Sequence, residues 1–484
     1  MIAWDKYKAI FLVLISSILY LYIGYFFERT AFNTLLVVWS SLFVCFYFLM
    51  KSKPFNFNYL ASISVLFRLV ILFQTPNLSQ DFYRFIWDGR MIFEGLNPYL
   101  SIPQTYIQQG LKPIAEAVTL YEGMGTLNGS HYTNYPPLHQ IGFLIAALFS
   151  SKNILGSIVA LRVLSILADI GILYFGKKLL EKMNLPIQNI FWYVLNPFVI
   201  IEMTGNLHFE SIMLFFLVSA LYKLAQKKWC LAGVLLAAAI SVKLIPLLFL
   251  PLFYQWFVKP KNLEKNLVGT EDKNSNKLQR KKWLPSGKGI KNLIAFYSIV
   301  ITTIIALFLP FYSPELVPNY LKSVGLWFQK FEFNASFYYL FREIGYLFRG
   351  WNEIAIIGKI TPILTLIFIG CLSFFRKNGT ISQLITALLF GGFFYYMTTT
   401  TMHPWYLATL VILSVFTRYR FTIVWSFVIV LSYQVYANSP WEENLWFVGF
   451  EYFIVLSCLI FELKRKKKHS VNLNVRSFLY FRNL

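Results

Sequence analysis

Long apolar runs recur along the whole chain, and they restrict its possible folds more than any other feature. A run of about 18 residues can cross a bilayer, and it does so as a helix because lipid offers no partner for exposed backbone groups. Hydrophobic residues make up 57% of the chain and charged residues 14%. The sequence therefore predicts an all-α polytopic membrane protein with about 11–14 transmembrane helices.

The basic residues indicate how these helices are oriented. The net charge is +22, and the lysines and arginines cluster in short loops, such as Lys51 with Lys53 and Arg376 with Lys377. Loops with few lysines alternate with these clusters, a pattern that places the basic loops in the cytoplasm. Membrane topology and anionic lipid account for this charge, so no nucleic-acid partner is expected.

Threading the apolar runs through these loops divides the chain into five parts. They are an extra N-terminal transmembrane hairpin at 1–57, a core at 58–258 with a large outer loop at 76–153, a basic cytoplasmic loop at 259–292, C-terminal transmembrane helices at 293–463, and a basic cytoplasmic tail at 464–484. Segments 79–94 and 335–348 mix aromatic and charged residues, and 138–150 is too short to cross. We expect these three to be amphipathic helices in the outer loops, lying in the outer leaflet.

Cysteine spacing and nucleotide motifs give no sign of a cofactor. The four cysteines all fall inside apolar runs, without metal-ligand spacing or a disulfide framework. The sequence contains no Walker loop, dinucleotide fingerprint or His-Glu-x-x-His motif. We therefore expect no cofactor and no metal site, and an activated donor would have to come through the membrane.

Asp81 and Asp88 stand out because the chain contains only five aspartates. In a helix, Asp81, Arg84 and Asp88 share one face. A carboxylate at the membrane edge loses hydration, which raises its pKa and makes it a better proton acceptor. We interpret Asp81 and Asp88 as candidate catalytic residues. The alternative for Asp88 is an ion pair with Arg84 or Arg90.

Further polar side chains fall on the same outer side and are candidate substrate contacts. They are Arg84, His131, Tyr135, His208, Glu210, Lys243, Asn334, Arg342 and His403. Lys243 lies at the end of a short span, where a cation is costly unless it finds an anion. Phosphate on a lipid carrier is a suitable anion for Lys243, Arg342 or His403. The alternative for the aromatic-rich segments is anchoring at the membrane interface.

The order of these motifs resembles that of the GT-C superfamily, integral-membrane glycosyltransferases that use polyprenyl-phosphate sugars. The likeness is greatest to polyprenol-phosphate-mannose-dependent mannosyltransferases, including GPI mannosyltransferase I and bacterial relatives. The landmarks cover residues 60–420 and include Asp81 to Asp88, Gly95-Leu-Asn-Pro-Tyr99, Tyr135-Pro-Pro-Leu138, Gly205 to Glu210, Lys243, and His403-Pro-Trp-Tyr406. In such enzymes an acidic residue of the first large outer loop is the general base, which implies Asp81. The chain departs from the pattern in its two extra spans and in the spacing of its aspartate pair.

The resemblance implies a transferase that moves a sugar, mannose by likeness, from a polyprenyl-phosphate donor to a glycan or glycolipid acceptor. Transfer would occur with inversion on the extracytoplasmic face. The alternatives are a transporter or flippase of a lipid-linked sugar and a noncatalytic subunit of a glycosylation complex. Transporters show mid-membrane charges and internal repeats, whereas here the polar groups gather outside. Sequons at Asn128 and Asn334 fall beside the candidate site, which favours a bacterial plasma membrane over the endoplasmic reticulum.

Overall fold

The computed structural model describes residues 2–51, 56–258, 287–329 and 331–480, and in these ranges the regular structure is helical apart from one isolated bridge. The α-helices are α1 Ile2–Tyr25, α2 Phe32–Lys51, α3 Phe57–Val70, α4 Asp81–Phe93, α5 Pro103–Gln108, α6 Ala117–Gly129, α7 Pro137–Phe149, α8 Ile154–Lys182, α9 Phe191–Val194, α10 Pro197–Val199, α11 Glu210–Ala225, α12 Trp229–Val242, α13 Tyr254–Val258, α14 Gly287–Phe308, α15 Leu316–Gln329, α16 Phe337–Arg349, α17 Ile354–Phe374, α18 Ile381–Thr398, α19 Ala408–Val415, α20 Phe421–Val428 and α21 Leu445–Tyr480. The 3-10 helices are Pro98–Leu100, Ile187–Ile190, Ile245–Phe253, Leu309–Phe311, Pro404–Leu407 and Ile429–Ala437, and Ile200–Gly205 is a π-helix. Most of the predicted loop 259–292 and the end of the predicted tail lie outside the described residues.

Seven helices of the described chain are long and apolar enough to cross a membrane. They are Tyr7–Tyr25, Phe32–Lys51, Ile154–Lys182, Gly287–Phe311, Ile354–Phe374, Ile381–Thr398 and Leu445–Arg465. A further candidate is broken, because Pro197–Gly205 and Glu210–Ala225 meet at an angle of 114°. The prediction of an all-α polytopic membrane protein is confirmed. The predicted 11–14 spans require some of the shorter apolar helices, such as Trp229–Val242, to cross as well.

Helices α3 and α8 run antiparallel and set the position of the chain that follows α3. At one end, Lys177 of α8 lies 4.6 Å from the ring centroid of Phe57 in α3. At the other end, the buried guanidinium of Arg162 donates to the carbonyl oxygens of Leu72, Gln74, Thr204 and Gly205 at 2.6–2.9 Å. Carbonyls at helix ends lack partners within their own helix. Arg162 supplies those partners and so fixes the loop that leads into α4.

The three predicted outer helices are present, but two of them are packed inside the protein. Segments 79–94 and 138–150 correspond to α4 and α7, which pack against each other, and α4 also contacts α6. Phe82, Ile86 and Trp87 of α4 are all buried. The expectation that α4 lies along the lipid leaflet is therefore corrected, because its apolar face is covered by neighbouring helices. The third helix, α16, does expose apolar side chains, with Leu347 83% accessible.

Candidate functional site

A cavity of about 550 Å³ lies where α4 begins and near the ends of α1, α12 and α18. Segments that are hundreds of residues apart in sequence contribute to its wall. Six of the predicted site residues line it, namely Asp81, Arg84, His131, Tyr135, Lys243 and His403. The fold thus brings together more than half of the candidate residues, which are distributed over the chain between positions 81 and 403.

Asp81 is the first residue of α4 and lies half-buried in the cavity wall. Its Oδ1 accepts a hydrogen bond from Asn128 Nδ2 at 3.3 Å. Burial raises the pKa of the Asp81 carboxyl, while the positive charge of Lys243 and the hydrogen bond from Asn128 act in the opposite direction. The result is a carboxylate that takes up a proton more readily than an exposed one, as a general base requires.

Asp88 is fully buried and does not line the cavity. Arg84 Nε donates to its Oδ1 at 2.8 Å, and Gln140 Nε2 donates to its Oδ2 at 3.0 Å. Arg90, the other predicted partner, instead pairs with Glu116 at 3.1 Å. The geometry therefore favours the ion-pair interpretation of Asp88 and leaves Asp81 as the aspartate that can meet a substrate.

Arg84 connects α4 to the last turn of α6 and to the loop that follows it. Its Nη1 donates to the carbonyl oxygens of Asn128 at 2.6 Å and His131 at 3.0 Å. The last turn of α6 also supplies the Asn128 side chain that contacts Asp81. Arg84 thus holds the hydrogen-bond donor of the candidate base in position, and it also reaches the cavity surface itself.

Lys243 supplies a cation on the wall of the same cavity. Helix α12 ends there because the backbone of Lys243 is extended, with φ −146° and ψ 143°. Its Nζ donates to Glu210 Oε1 at 2.5 Å, and the Lys243 side chain remains 16% accessible. An ammonium group has three protons to donate. Glu210, which does not line the cavity, therefore compensates the positive charge of Lys243. Lys243 itself lines the cavity and can still bind an anion there.

Arg29 lines the cavity as a further cation, beside Lys243 and Arg84, and the sequence had not indicated it. Its Nη1 donates to Gln80 Oε1 at 3.3 Å, and its guanidinium lies 4.5 Å from the ring centroid of Tyr436. Arg29 lies in the short connection between α1 and α2, on the predicted outer side. Arginine is unusual in outer loops under the positive-inside rule. That rule was the signal by which Arg29 could have been found.

Five nearly parallel rings form a stack along the cavity wall. Trp441 lies 5.9 Å from Phe333 and Phe333 lies 5.2 Å from His403, between ring centroids. His403 lies 4.4 Å from Trp405 at an interplanar angle of 6°, and Trp405 lies 3.8 Å from His208 at 16°. The stack runs from the half-exposed Trp441 to the fully buried His208. It gives the cavity a rigid aromatic side.

The two histidines of the cavity are uncharged at neutral pH. Burial, together with the charge of Arg84, lowers the pKa of His131 to about 4. Burial and the charge of Lys243 lower the pKa of His403 to about 3. His403 can therefore offer a phosphate a hydrogen bond but no charge. Among the residues that the structure describes, no three His, Cys, Asp or Glu side chains are grouped to hold a metal ion.

His208 and Asn334 are predicted substrate contacts that the structure keeps out of the cavity lining. His208 lies behind Trp405, with its Nε2 3.6 Å from a carboxylate oxygen of Glu202. The backbone N–H of Asn334 donates to Glu443 at 2.7 Å, and its side chain donates to Glu451 at 3.3 Å. Both residues are fully buried away from the cavity surface, His208 with its ring stacked on Trp405 and Asn334 with its amide nitrogen directed at Glu451.

Arg342 and Glu210 are also absent from the cavity lining. Arg342 Nη1 donates to Glu332 at 2.8 Å and its Nη2 donates to Glu343 at 3.0 Å. Two carboxylates thus draw this cation away from the predicted phosphate site. Glu210 is connected to the cavity wall by its ion pair with Lys243.

Comparison with known proteins assigns the chain to a family. Residues 17–259, half of the chain, match the family described as alpha-(1->6)-mannopyranosyltransferase, N-terminal domain. The chain belongs to this family. It is also 32% identical over 197 residues to alpha-(1->6)-mannopyranosyltransferase A of Corynebacterium glutamicum. That similarity covers 38% of this chain and 36% of the relative, so the chain matches about a third of the relative's length.

The mannopyranosyltransferase match confirms the resemblance to mannosyltransferases that the motif order indicated. The matched residues include Asp81 and Lys243, whereas His403 and Trp441 lie beyond them. The match also begins inside α1, so it includes most of the N-terminal hairpin that the motif comparison treated as extra.

Proposed function

We propose that this protein transfers mannose from a polyprenyl-phosphate donor to a hydroxyl group of a glycan or glycolipid acceptor. The observation that carries the proposal is the convergence of the Asp81 carboxyl and the Lys243 ammonium on one cavity. A proton acceptor and an anion-binding cation are the two groups that such a transfer needs. Membership of a mannopyranosyltransferase family supports mannose as the sugar.

The reaction would proceed in one displacement. Asp81 accepts the proton of the acceptor hydroxyl as its oxygen forms a bond to C1 of the sugar. The bond from C1 to the phosphate oxygen breaks, and its electron pair leaves with the lipid phosphate. The cation of Lys243 stabilises the negative charge that develops there. Attack from the opposite face inverts C1, so an α-linked product requires a β-linked donor.

Glu210 balances the charge of Lys243 before a phosphate binds, and Arg29 would balance the charge that the phosphate adds. In the unliganded site Glu210 compensates Lys243, which limits the cost of a cation in an apolar wall. A bound phosphate would bring further negative charge, and Arg29 on the same cavity is suited to meet it. Arginine binds phosphate through a planar fork of donors.

The cavity is proposed to open on the extracytoplasmic face of a bacterial plasma membrane. Its residues follow the helix ends opposite to those that carry the basic loops, such as Lys182 of α8 and Lys228 before α12. The positive-inside rule assigns those basic ends to the cytoplasm. The transporter alternative receives no support from the family match, which is to a transferase.

Replacement of the candidate base tests the proposal. In detergent, Asp81→Asn is expected to lower kcat about 10²- to 10⁴-fold, because amide nitrogen and oxygen cannot take the proton. The assay follows label moving from a synthetic polyprenyl-phosphate mannose to an oligomannoside. Glu122→Gln is the matched control, since Glu122 is an exposed carboxyl of the neighbouring helix α6. Transfer by Asp81→Asn at the rate of the control would refute the assignment.

A further inference from the structure

A second cleft, of about 530 Å³, lies at the opposite end of the bundle from the Asp81 cavity. Three turns build it: the end of α8 at Met183 and Leu185, the connection between α17 and α18, and the connection between α19 and α20. These are the turns that carry basic clusters and that the charge pattern assigns to the cytoplasm. The mannosyl-transfer chemistry proposed above does not use this cleft.

The lining of the cleft is basic and rich in hydroxyl groups. Its cations are Arg376, Lys377 and Arg418, and its hydroxyl residues are Ser382, Thr386, Thr417 and Tyr419. Within the described part of the chain, no aspartate or glutamate lines it. Three cations without a compensating carboxylate create a positive potential, which a concave wall focuses. Such a surface is complementary to an anion with several acceptor oxygens.

Two features prepare the cleft for an anion. Arg376 is held in place, because its Nη1 donates both to Asn378 Oδ1 and to the carbonyl oxygen of Gln383 at 2.8 Å. The 18-residue helix α18 also begins there, so the positive end of its dipole points at the same space. Lys377 and Arg418 are exposed and can close on a ligand.

The position of the cleft at the end of a candidate membrane span indicates what kind of anion reaches it. Phe374 and Phe375, directly before Arg376, are 58% and 84% accessible. Exposed apolar rings at the end of a candidate span are suited to acyl chains, so the cations that directly follow them fall at the level of the lipid headgroups. Basic pockets between transmembrane helices on the cytoplasmic side bind anionic lipid headgroups. We propose that this cleft binds the phosphate headgroup of an anionic phospholipid.

Lipid binding by the full-length protein in detergent tests the proposal. Native mass spectrometry would follow titrations with phosphatidylglycerol and phosphatidylcholine, with inorganic phosphate as competitor. The cleft variant is Lys377→Glu with Arg418→Glu. Its matched control is Lys227→Glu with Lys228→Glu, which makes the same charge change on exposed basic residues outside the cleft.

The wild-type protein and the control are expected to prefer phosphatidylglycerol, and the cleft variant is expected to bind it at least about tenfold more weakly. A milder variant, Lys377→Gln with Arg418→Gln, should also lose most of this preference. Because it introduces no negative charge, it distinguishes loss of the binding site from misfolding. Equal binding by cleft variant and control would overturn the proposal, because any basic loop would then suffice. Displacement of the lipid by equimolar inorganic phosphate would overturn it too, since the site would then serve a free phosphate compound.

Discussion

Asp81 and Asp88 lie two turns apart in one helix, yet their surroundings differ so that only Asp81 is placed to accept a proton from a substrate. Asp81 lies in the cavity wall with a single side-chain donor, Asn128. Asp88 has both carboxylate oxygens occupied, by Arg84 and Gln140, in a fully buried position. A buried carboxylate with both oxygens bound by protein donors is suited to hold those donors in position and not to accept a proton from the substrate.

We therefore expect Asp88→Asn to act on stability. Loss of the charge leaves the buried guanidinium of Arg84 uncompensated, which costs about 3–5 kcal/mol for a buried pair. The expected result is a clear fall in Tm in detergent, measured by intrinsic fluorescence, with much of the activity per folded molecule retained. A variant as stable as the wild type but as inactive as Asp81→Asn would instead show that Asp88 takes part in the chemistry.

The pH dependence of transfer should report the protonation of Asp81. Burial raises the pKa of Asp81 above its ordinary value, and a general base works only when deprotonated. Activity should thus rise as the pH passes upward through this raised pKa and be lost below it. Asn128→Ala removes a hydrogen bond that favours the charged form, so it should shift the acid limb of the pH–rate profile to higher pH. Superimposable profiles would contradict this role.

At the level of helices, local sequence patterns predicted where a helix lies along the chain. They did not predict what that helix packs against. The predicted helix 79–94 is α4, Asp81–Phe93, because hydrophobic periodicity acts within a few residues. The same periodicity cannot distinguish a helix that faces lipid from one packed against protein, so the burial of α4 was not predicted. Partners such as Glu451 for Asn334 are also beyond local patterns, since they lie more than one hundred residues apart.

The connection between α20 and α21 makes a contribution to the site that no motif indicated. It carries Trp441, which ends the ring stack and is 49% accessible at the cavity wall. The exposed face of such a ring can stack on the C–H face of a sugar, and aromatic stacking contributes about 0.5–1.5 kcal/mol beyond buried area. The position of Trp441 on an outer connection suggests contact with the acceptor glycan.

Trp441→Ala is accordingly expected to raise the KM for an oligomannoside acceptor about three- to tenfold and to leave kcat nearly unchanged. Trp351→Ala is the control, because Trp351 is also exposed, at 57%, in another predicted outer connection but does not line the cavity. Initial rates at varied acceptor concentration separate the two constants. A fall in kcat at constant KM would indicate that Trp441 supports the reacting groups and not the acceptor.

Across the whole molecule, the two ends of the bundle have different chemistry. One end holds the cavity with Asp81, three cations and the ring stack, while the other holds the basic cleft of Arg376, Lys377 and Arg418. The gathering of basic turns at one end is what the positive-inside rule predicts for a membrane protein. The charges in the sequence alone predicted this division, because it depends only on the order of spans and loops.

The orientation can be tested in intact cells with a membrane-impermeant maleimide. In a background where the four native cysteines are replaced by alanine, Gln109→Cys should be labelled from outside, since Gln109 is exposed in the large loop that bears Asp81. Lys228→Cys, on a basic turn, should react only after permeabilisation. The reverse pattern would put the cavity in the cytoplasm. Sugar transfer would then draw on a donor presented at the inner leaflet, and an anionic lipid in the basic cleft would belong to the outer one.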